Sequence, residues 1–449
     1  MHKDSKISDY LKEVCNQIRW KKAHDVISEE LENHIIDQRD AFIQMGMDES
    51  TATEKAIKEM GDPILVGSEL DRTHRPKTEW SIIALTAFWL FLGLTIRIIV
   101  IDNSMSSTLT ANIVCTIIAI CCMIIMFFLD FTFIVKHSKG IYIGVILLIF
   151  GVYFGYSNVY GYSPHVSFLF MLLPTVYAAI IYNLRNKGYY GIILSWLYFI
   201  IPLFIGIFLT TISSIMIYAF VCYSLVTYAI IKGWFNISKI KAILFYYVPS
   251  ILILPTFLIN NAYRVRRLEN IFNPSSTDPT GDGYIYSILK NMIRHSNFIG
   301  IGDLGGDYLR QLPCQDTDYF LTALIYKYGW ISFAVIVAVI GTFLIRSINL
   351  CLKQKSVVSR LITLSILSTL IMQALLYIFS NLGIILISPL TLPLISYGGT
   401  SITVNMVLIG IMLSVFKSGD IVKDNSKSLK HNKIFQLIDG KIVIDLHMD

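Results

Sequence analysis

Asp316 and Asp318 close a polar segment, Asn261 to Asp318, that also carries Arg264, Arg266, Arg267, Lys290, Arg294 and Arg310. A carboxylate can take the proton from an attacking hydroxyl. Guanidinium groups offer planar pairs of donors that match phosphate oxygens. For an arbitrary loop acid or base, plain solvation is the first expectation, and half of these arginines would serve as ordinary loop charges. Position sets Asp318 apart: it follows the Pro313 turn and opens an apolar run, where partial loss of water is expected to raise its pKa toward that of a working base. Asp316 adds a like charge that pushes the same way, or shares a divalent ion such as Mg²⁺ or Mn²⁺ with Asp318. The chemistry on offer is proton transfer beside a bound phosphate or pyrophosphate.

The elements that must hold this segment are membrane helices. The chain has 449 residues, 54% hydrophobic and 15% charged, with mean hydropathy +0.61. That balance excludes a soluble domain of this size. Apolar runs fall near 80–101, 109–134, 141–158, 166–184, 189–210, 211–231, 240–260, 319–345, 359–385 and 398–416, each of about the length a bilayer requires. Ten spans put both termini on one side. The short basic loops, with Lys136/Lys139, Arg185/Lys187, Lys232/Lys239/Lys241 and Arg346/Lys353/Lys355/Arg360, then share the N-terminal side, which makes that side cytoplasmic. The 261–318 loop faces outward, and its cations call for an anion to bind. Lys327 should lie about 13 Å into the eighth span at ~1.5 Å per residue, either snorkelling or facing a polar cavity. The seven cysteines show neither metal spacing nor a disulfide framework.

Two flanking pieces complete the plan. Residues 1–79 hold 12 Lys/Arg against 17 Asp/Glu and should form a small cytoplasmic helical module, with helices over Asp25–Met45, Ser50–Met60 and Ile64–Leu70. The Glu-rich surface reads first as a solvated helical face. Through EELENHIIDQRDAF, AIKEMGDP and the following SEL, this head resembles permease-prefix N-terminal domains, which implies a regulatory or docking role. The tail, 417–449, places Asp439-Gly440 between two β-prone runs, a two-residue hairpin signature that needs a surface to pack on, either the head or a partner.

Over roughly residues 80–416 the chain resembles the SEDS family (shape, elongation, division and sporulation; the RodA, FtsW and SpoVE type). The residues that carry the likeness are LPCQDTDYFL followed by Gly329, the loop pattern YRVRRL…GY…GIG…LP, and above all TLPLISYGGTS at 391–401. The resemblance implies an all-α polytopic membrane protein of ten helices in the bacterial plasma membrane. It implies polymerisation of lipid II into peptidoglycan glycan at the outer face, with release of undecaprenyl pyrophosphate, in elongation, division or sporulation. A single-span class B penicillin-binding transpeptidase is the implied partner. Asp318, in Thr317-Asp318-Tyr319, matches the family's catalytic aspartate, Arg266 and Arg267 its basic pair, and Gln373 a family glutamine. Arg294, Arg310, Lys327, Ser396, Tyr397, Gly398 and Gly399 join the candidate substrate contacts, and Asp316 with Asp318 the candidate metal ligands. The SYGGTS stretch reads equally as a Gly-rich turn capping the last span and as a place where lipid or backbone approaches closely. The chain departs from the family pattern where two glutamates are common, here Tyr326 and Lys327, and where an asparagine is common, here Tyr377. These departures mark a divergent member. A non-catalytic lipid II-binding scaffold for a transpeptidase and a lipid II flippase are the alternative readings.

Overall fold

The computed structural model describes residues 5–76, 78–100, 106–155, 164–209, 211–259, 265, 269, 283–315, 317–385, 390–396, 398–419, 435–438 and 441–444. Arg264, Arg266, Arg267, Asp316 and Tyr397 lie outside them. The chain divides into two compact units, residues 1–75 with 421–449, and residues 76–420.

The first unit is a helical head. Asp48 caps Glu49–Met60 by accepting from the Thr51 amide, and Asp62 caps Pro63–His74 by accepting from Ile64, so two orphan helix-end donors are met. His24–Gln44 buries Ile27, Leu31 and Ile35 at helical spacing. Sequence reasoning overlooked a further helix, Ser5–Gln17, whose Ile7, Tyr10, Leu11 and Val14 enter the same core. The expected hairpin is present: Phe435–Ile438 pairs antiparallel with Lys441–Ile444, Ile438 opposite Lys441.

The second unit is a bundle of apolar helices, and the chain is a multi-pass membrane protein. Among the described residues, eight helices are long and apolar enough to cross a membrane, from Thr110–Phe128 to Gly399–Ser418. Trp80–Val100 and Lys239–Ile259 are further apolar helices of 21 residues each. Pro202 sits inside the continuous helix Gly188–Leu209 and, lacking an N–H, frees the Tyr198 carbonyl one turn back. That carbonyl accepts instead from the hydroxyls of Tyr142 at 3.0 Å and Tyr218 at 3.3 Å.

One expected span needs correction. The apolar run 319–345 is not one helix: it forms a short helix, Phe320–Tyr328, and a spanning helix, Trp330–Lys353, joined at Gly329. Gly329 has φ +91, and a Cβ there would lie 2.4 Å from the Phe298 carbonyl oxygen. Only glycine fits such a joint without strain. Hydropathy alone fused the two helices because residues 320–326 are as apolar as a span, but they are buried in protein. Lys327 is corrected with it: it stands in the last turn of the short helix, half-buried, with Nζ 5.5 Å from the Tyr328 ring, and not inside a spanning helix.

Candidate active site

The described part of the long loop has its own small core. Ile288, Leu289 and Met292 of the helix Tyr284–Arg294 pack with Leu312, Tyr319, Ala323 and Tyr326, closing the loop over the short helix Phe320–Tyr328. Tyr326, where the family commonly has an acid, is therefore a core residue, 1% exposed. Its hydroxyl donates to the Gly305 carbonyl at 2.9 Å. Gly302 leaves it room, since a Cβ at 302 would lie 2.4 Å from the Tyr326 ring.

Asp318 stands two residues before this helix, in a turn folded around one carbonyl. Cys314 has φ +50, and its oxygen accepts from the amides of Thr317, Asp318 and Tyr319 at 3.1, 3.1 and 3.3 Å. The turn is held from the side by the helix Val357–Asn381. Asn381 donates from Nδ2 to the Asp318 carbonyl at 3.0 Å, and its Oδ1 accepts from the Thr322 amide at 3.1 Å. Tyr377, one turn earlier, donates to the Thr317 carbonyl at 3.4 Å and accepts from the Leu321 amide at 3.3 Å. Both side chains are buried. The backbone of Asp318 is fixed and its carboxyl group left for other work.

Burial pushes the Asp318 carboxyl up to about 6, against a smaller opposing effect from hydrogen bonding by Thr317. Among the described residues no cation is ion-paired with it, so only the Thr317 hydrogen bond works against the loss of water. A carboxylate titrating near the working pH is what general-base catalysis needs.

The other expected site residues are distributed as follows. Arg294 ends the loop helix and Arg310 lies in the 3₁₀ turn Gly306–Gln311; both are exposed. Gln373 is fully buried and donates from Nε2 to the Thr391 carbonyl at 3.1 Å, while its buried Oε1 meets no hydrogen-bond partner among the described residues. Ser396 is buried, and its hydroxyl accepts from the Leu392 amide at 2.7 Å, tying the turn that precedes the last span. Gly399 opens that span against Cys115, whose sulfur would lie 2.7 Å from a Cβ at 399; Gly398 is less tightly placed, with Thr391 3.2 Å from its virtual Cβ. The near neighbours of these glycines are the side chains of Cys115, Thr391 and Ser401, and Gly398 stands at the N-cap of the last span. Arg266, Arg267, Asp316 and Tyr397 fall outside the described residues.

Sequence reasoning missed Asn381 altogether and took Tyr377 only as a departure. The available signal was spacing. Ser365, Thr369, Gln373, Tyr377 and Asn381 put a polar residue at every fourth position along one row of the helix, and all are buried. A polar row that a membrane helix hides must have partners. At its end those partners are the Asp318 turn.

Among the described residues no cluster of three or more His, Cys, Asp or Glu side chains gathers. Asp318 offers the hard oxygen donor type that Mg²⁺ or Mn²⁺ accepts when substrate phosphates complete the shell.

The FtsW/RodA/SpoVE family, described as cell cycle protein, matches residues 78–420. The chain belongs to that family. It is 28% identical over 165 residues to stage V sporulation protein E of Bacillus subtilis (strain 168), an alignment covering 35% of this chain and 43% of that protein. It is 30% identical over 190 residues to a probable peptidoglycan glycosyltransferase FtsW of Thiomicrospira cyclica, covering 40% of this chain and 48% of that protein. The chain thus spans less than half the length of these curated relatives. The fold resembles a chain solved in a study of structural coordination of polymerization and crosslinking by a peptidoglycan synthase complex, with TM-score 0.59, 18% identity, and 76% of this chain and 97% of that chain covered. It also resembles Thermus thermophilus rod shape determining protein RodA, with TM-score 0.51, 14% identity, and 76% and 97% covered.

Proposed function

We propose that this chain is a peptidoglycan glycosyltransferase that polymerises lipid II into glycan strands at the outer membrane face, with Asp318 as general base. The observation that carries the reading is Asp318 itself: a carboxyl group raised to about 6 by burial, its backbone clamped by Asn381 and Tyr377. The family's glycosyltransferase members support the reaction class. An attacking sugar hydroxyl gives its proton to Asp318 as its oxygen bonds to the anomeric carbon of the second lipid-linked sugar. The bond from that carbon to pyrophosphate breaks, and undecaprenyl pyrophosphate leaves with the electron pair. Its growing charge falls to the loop cations Arg266 and Arg267, with Arg294 or Arg310 beside them. Asp318 with Asp316 would hold Mg²⁺ or Mn²⁺ against the same pyrophosphate, where the ion would neutralise charge.

The N- and C-termini are then cytoplasmic, and the process served is elongation, division or sporulation. A class B penicillin-binding protein is the proposed partner, in line with the similarity to a chain from a peptidoglycan synthase complex. The test is purified protein in proteoliposomes supplied with lipid II, with and without divalent metal. Glycan polymer longer than the disaccharide unit is expected. Lipid II bound but never polymerised, with or without a transpeptidase present, would reject the reaction.

A further inference from the structure

The turn that caps the Gly329 joint carries an apolar tip. Phe298 is 73% exposed, Ile299 68% and Ile301 56%, contiguous in sequence apart from Gly300, which has φ +92 and open space around it. Polar neighbours serve the base of the turn: Asn297 donates from Nδ2 to the Ile301 carbonyl at 2.9 Å and to Asp303 Oδ1 at 3.0 Å. The tip is left facing outward with no described protein surface over it.

Its height is fixed by backbone hydrogen bonds. The Ile331 amide donates to the Phe298 carbonyl at 3.2 Å, Trp330 to Asn297 at 3.1 Å, and Gly300 to the Tyr328 carbonyl at 3.2 Å. The tip therefore sits level with the first turn of the spanning helix Trp330–Lys353. That helix has 24 residues, about 36 Å at ~1.5 Å per residue, longer than a hydrocarbon core of roughly 30 Å. That length leaves room for its first turn at the interface, and it begins with a tryptophan, a residue enriched there. Ile331, Ala334 and Val335 of that helix are exposed apolar residues, the kind of surface that a spanning helix offers to lipid, and Phe298 and Ile299 are held beside its first turn.

We propose that the 298–301 turn is an interfacial membrane anchor: Phe298, Ile299 and Ile301 enter the boundary between headgroups and acyl chains beside the first turn of Trp330–Lys353. The occupant of this apolar patch is lipid. Gly302 and Gly300 bond to the backbone of residues 326 and 328, so the anchor also sets the depth of the short helix that Asp318 precedes. The inference rests on the membrane fold and stands apart from the glycosyltransferase reading.

The test uses Phe298→Trp and, separately, Ile299→Trp in the full chain, reconstituted in phosphatidylglycerol vesicles that contain phosphatidylcholine brominated near the glycerol end of its acyl chains. Both positions are exposed, so the larger ring needs no repacking. The signal is the added emission over the six native tryptophans. Added emission that is quenched severalfold more by the brominated lipid than by aqueous iodide is the expected result. Quenching by iodide with indifference to the brominated lipid would overturn the proposal, because the tip would then stand in water. Shielding from both quenchers would overturn it too, because protein would then cover the patch.

Discussion

Asn381 holds the turn of Asp318 from both directions: its Nδ2 donates to the Asp318 carbonyl at 3.0 Å, while its Oδ1 accepts from Thr322, in the first turn of the helix beyond, at 3.1 Å. Asn381→Leu would leave a buried carbonyl and a buried amide unmet, at about 1–3 kcal/mol each. The expected outcome is a lower melting temperature and a fall in kcat larger than any change in KM. Tyr377→Phe, which gives up bonds of 3.4 and 3.3 Å, should cost only about 1 kcal/mol. Equal turnover for wild type and Asn381→Leu would detach the clamp from catalysis.

The Asp318 carboxyl, raised from 3.8 to about 6, has two pH consequences. A base must be ionised, so activity should climb as pH rises through about 6 and hold above it. Stability moves oppositely. Between 3.8 and about 6 the folded chain keeps a proton that the unfolded chain has released, so this group's contribution falls as pH rises across that window and stays low above it. Asp318→Asn should therefore melt higher than wild type at neutral pH, with the gain vanishing below pH 3.8. Thermal melts of both proteins across the window check the sign; a neutral-pH loss in the Asn variant would contradict it.

Tyr326 and Gly302 are a size-matched pair. Gly302→Ala places a Cβ 2.4 Å from the ring and 2.7 Å from the His295 carbonyl, an overpacking that typically costs about 1–3 kcal/mol. Replacing Tyr326 by the acid common in the family, Tyr326→Glu, would bury an unpaired carboxylate in the loop core and should destabilise more. Protease protection of the loop measures both. A Tyr326→Glu chain as stable as wild type would show that residue 326 is not the core element described here.

Much of this was legible in sequence. Hydropathy located most of the helices, Asp439-Gly440 marked the hairpin, and Asp318 was singled out by where polar loop met apolar run; the caps Asp48 and Asp62 were read only from the structure. The failures have a common physical origin. Residues 320–326 are apolar because they face protein, and composition cannot distinguish that from facing lipid. Gly329 was the warning, since a glycine between two apolar runs can mark a left-handed joint. Asn381 was hidden because its partners, Asp318 and Thr322, lie some sixty residues away in sequence. The helix Ser5–Gln17 was missed although Ile7, Leu11 and Val14 repeat at helical spacing.

The cations of the loop's start carry the next expectation. A pyrophosphate held by guanidinium forks loses charge-assisted bonds worth roughly 1.5–3 kcal/mol each on truncation. Arg266→Ala with Arg267→Ala should lower polymerisation about 10²-fold or more, the Lys versions falling between, since Lys keeps charge without the fork. Added Mg²⁺ or Mn²⁺ should restore part of the rate if an ion shares the site. Rates unchanged by the double substitution, across lipid II and metal concentrations, would confine these arginines to loop folding or topology.

The most direct measurement compares wild type with Asp318→Asn in proteoliposomes supplied with lipid II, following glycan product over time at a pH above the base's titration. The Asn side chain keeps the volume and the backbone clamp and removes only the proton acceptor. The expected result is polymer from wild type and a rate at least about 10²-fold lower from Asp318→Asn, with insertion and lipid II binding retained. Polymer from the Asn variant at the wild-type rate would contradict the assignment of Asp318 as the base.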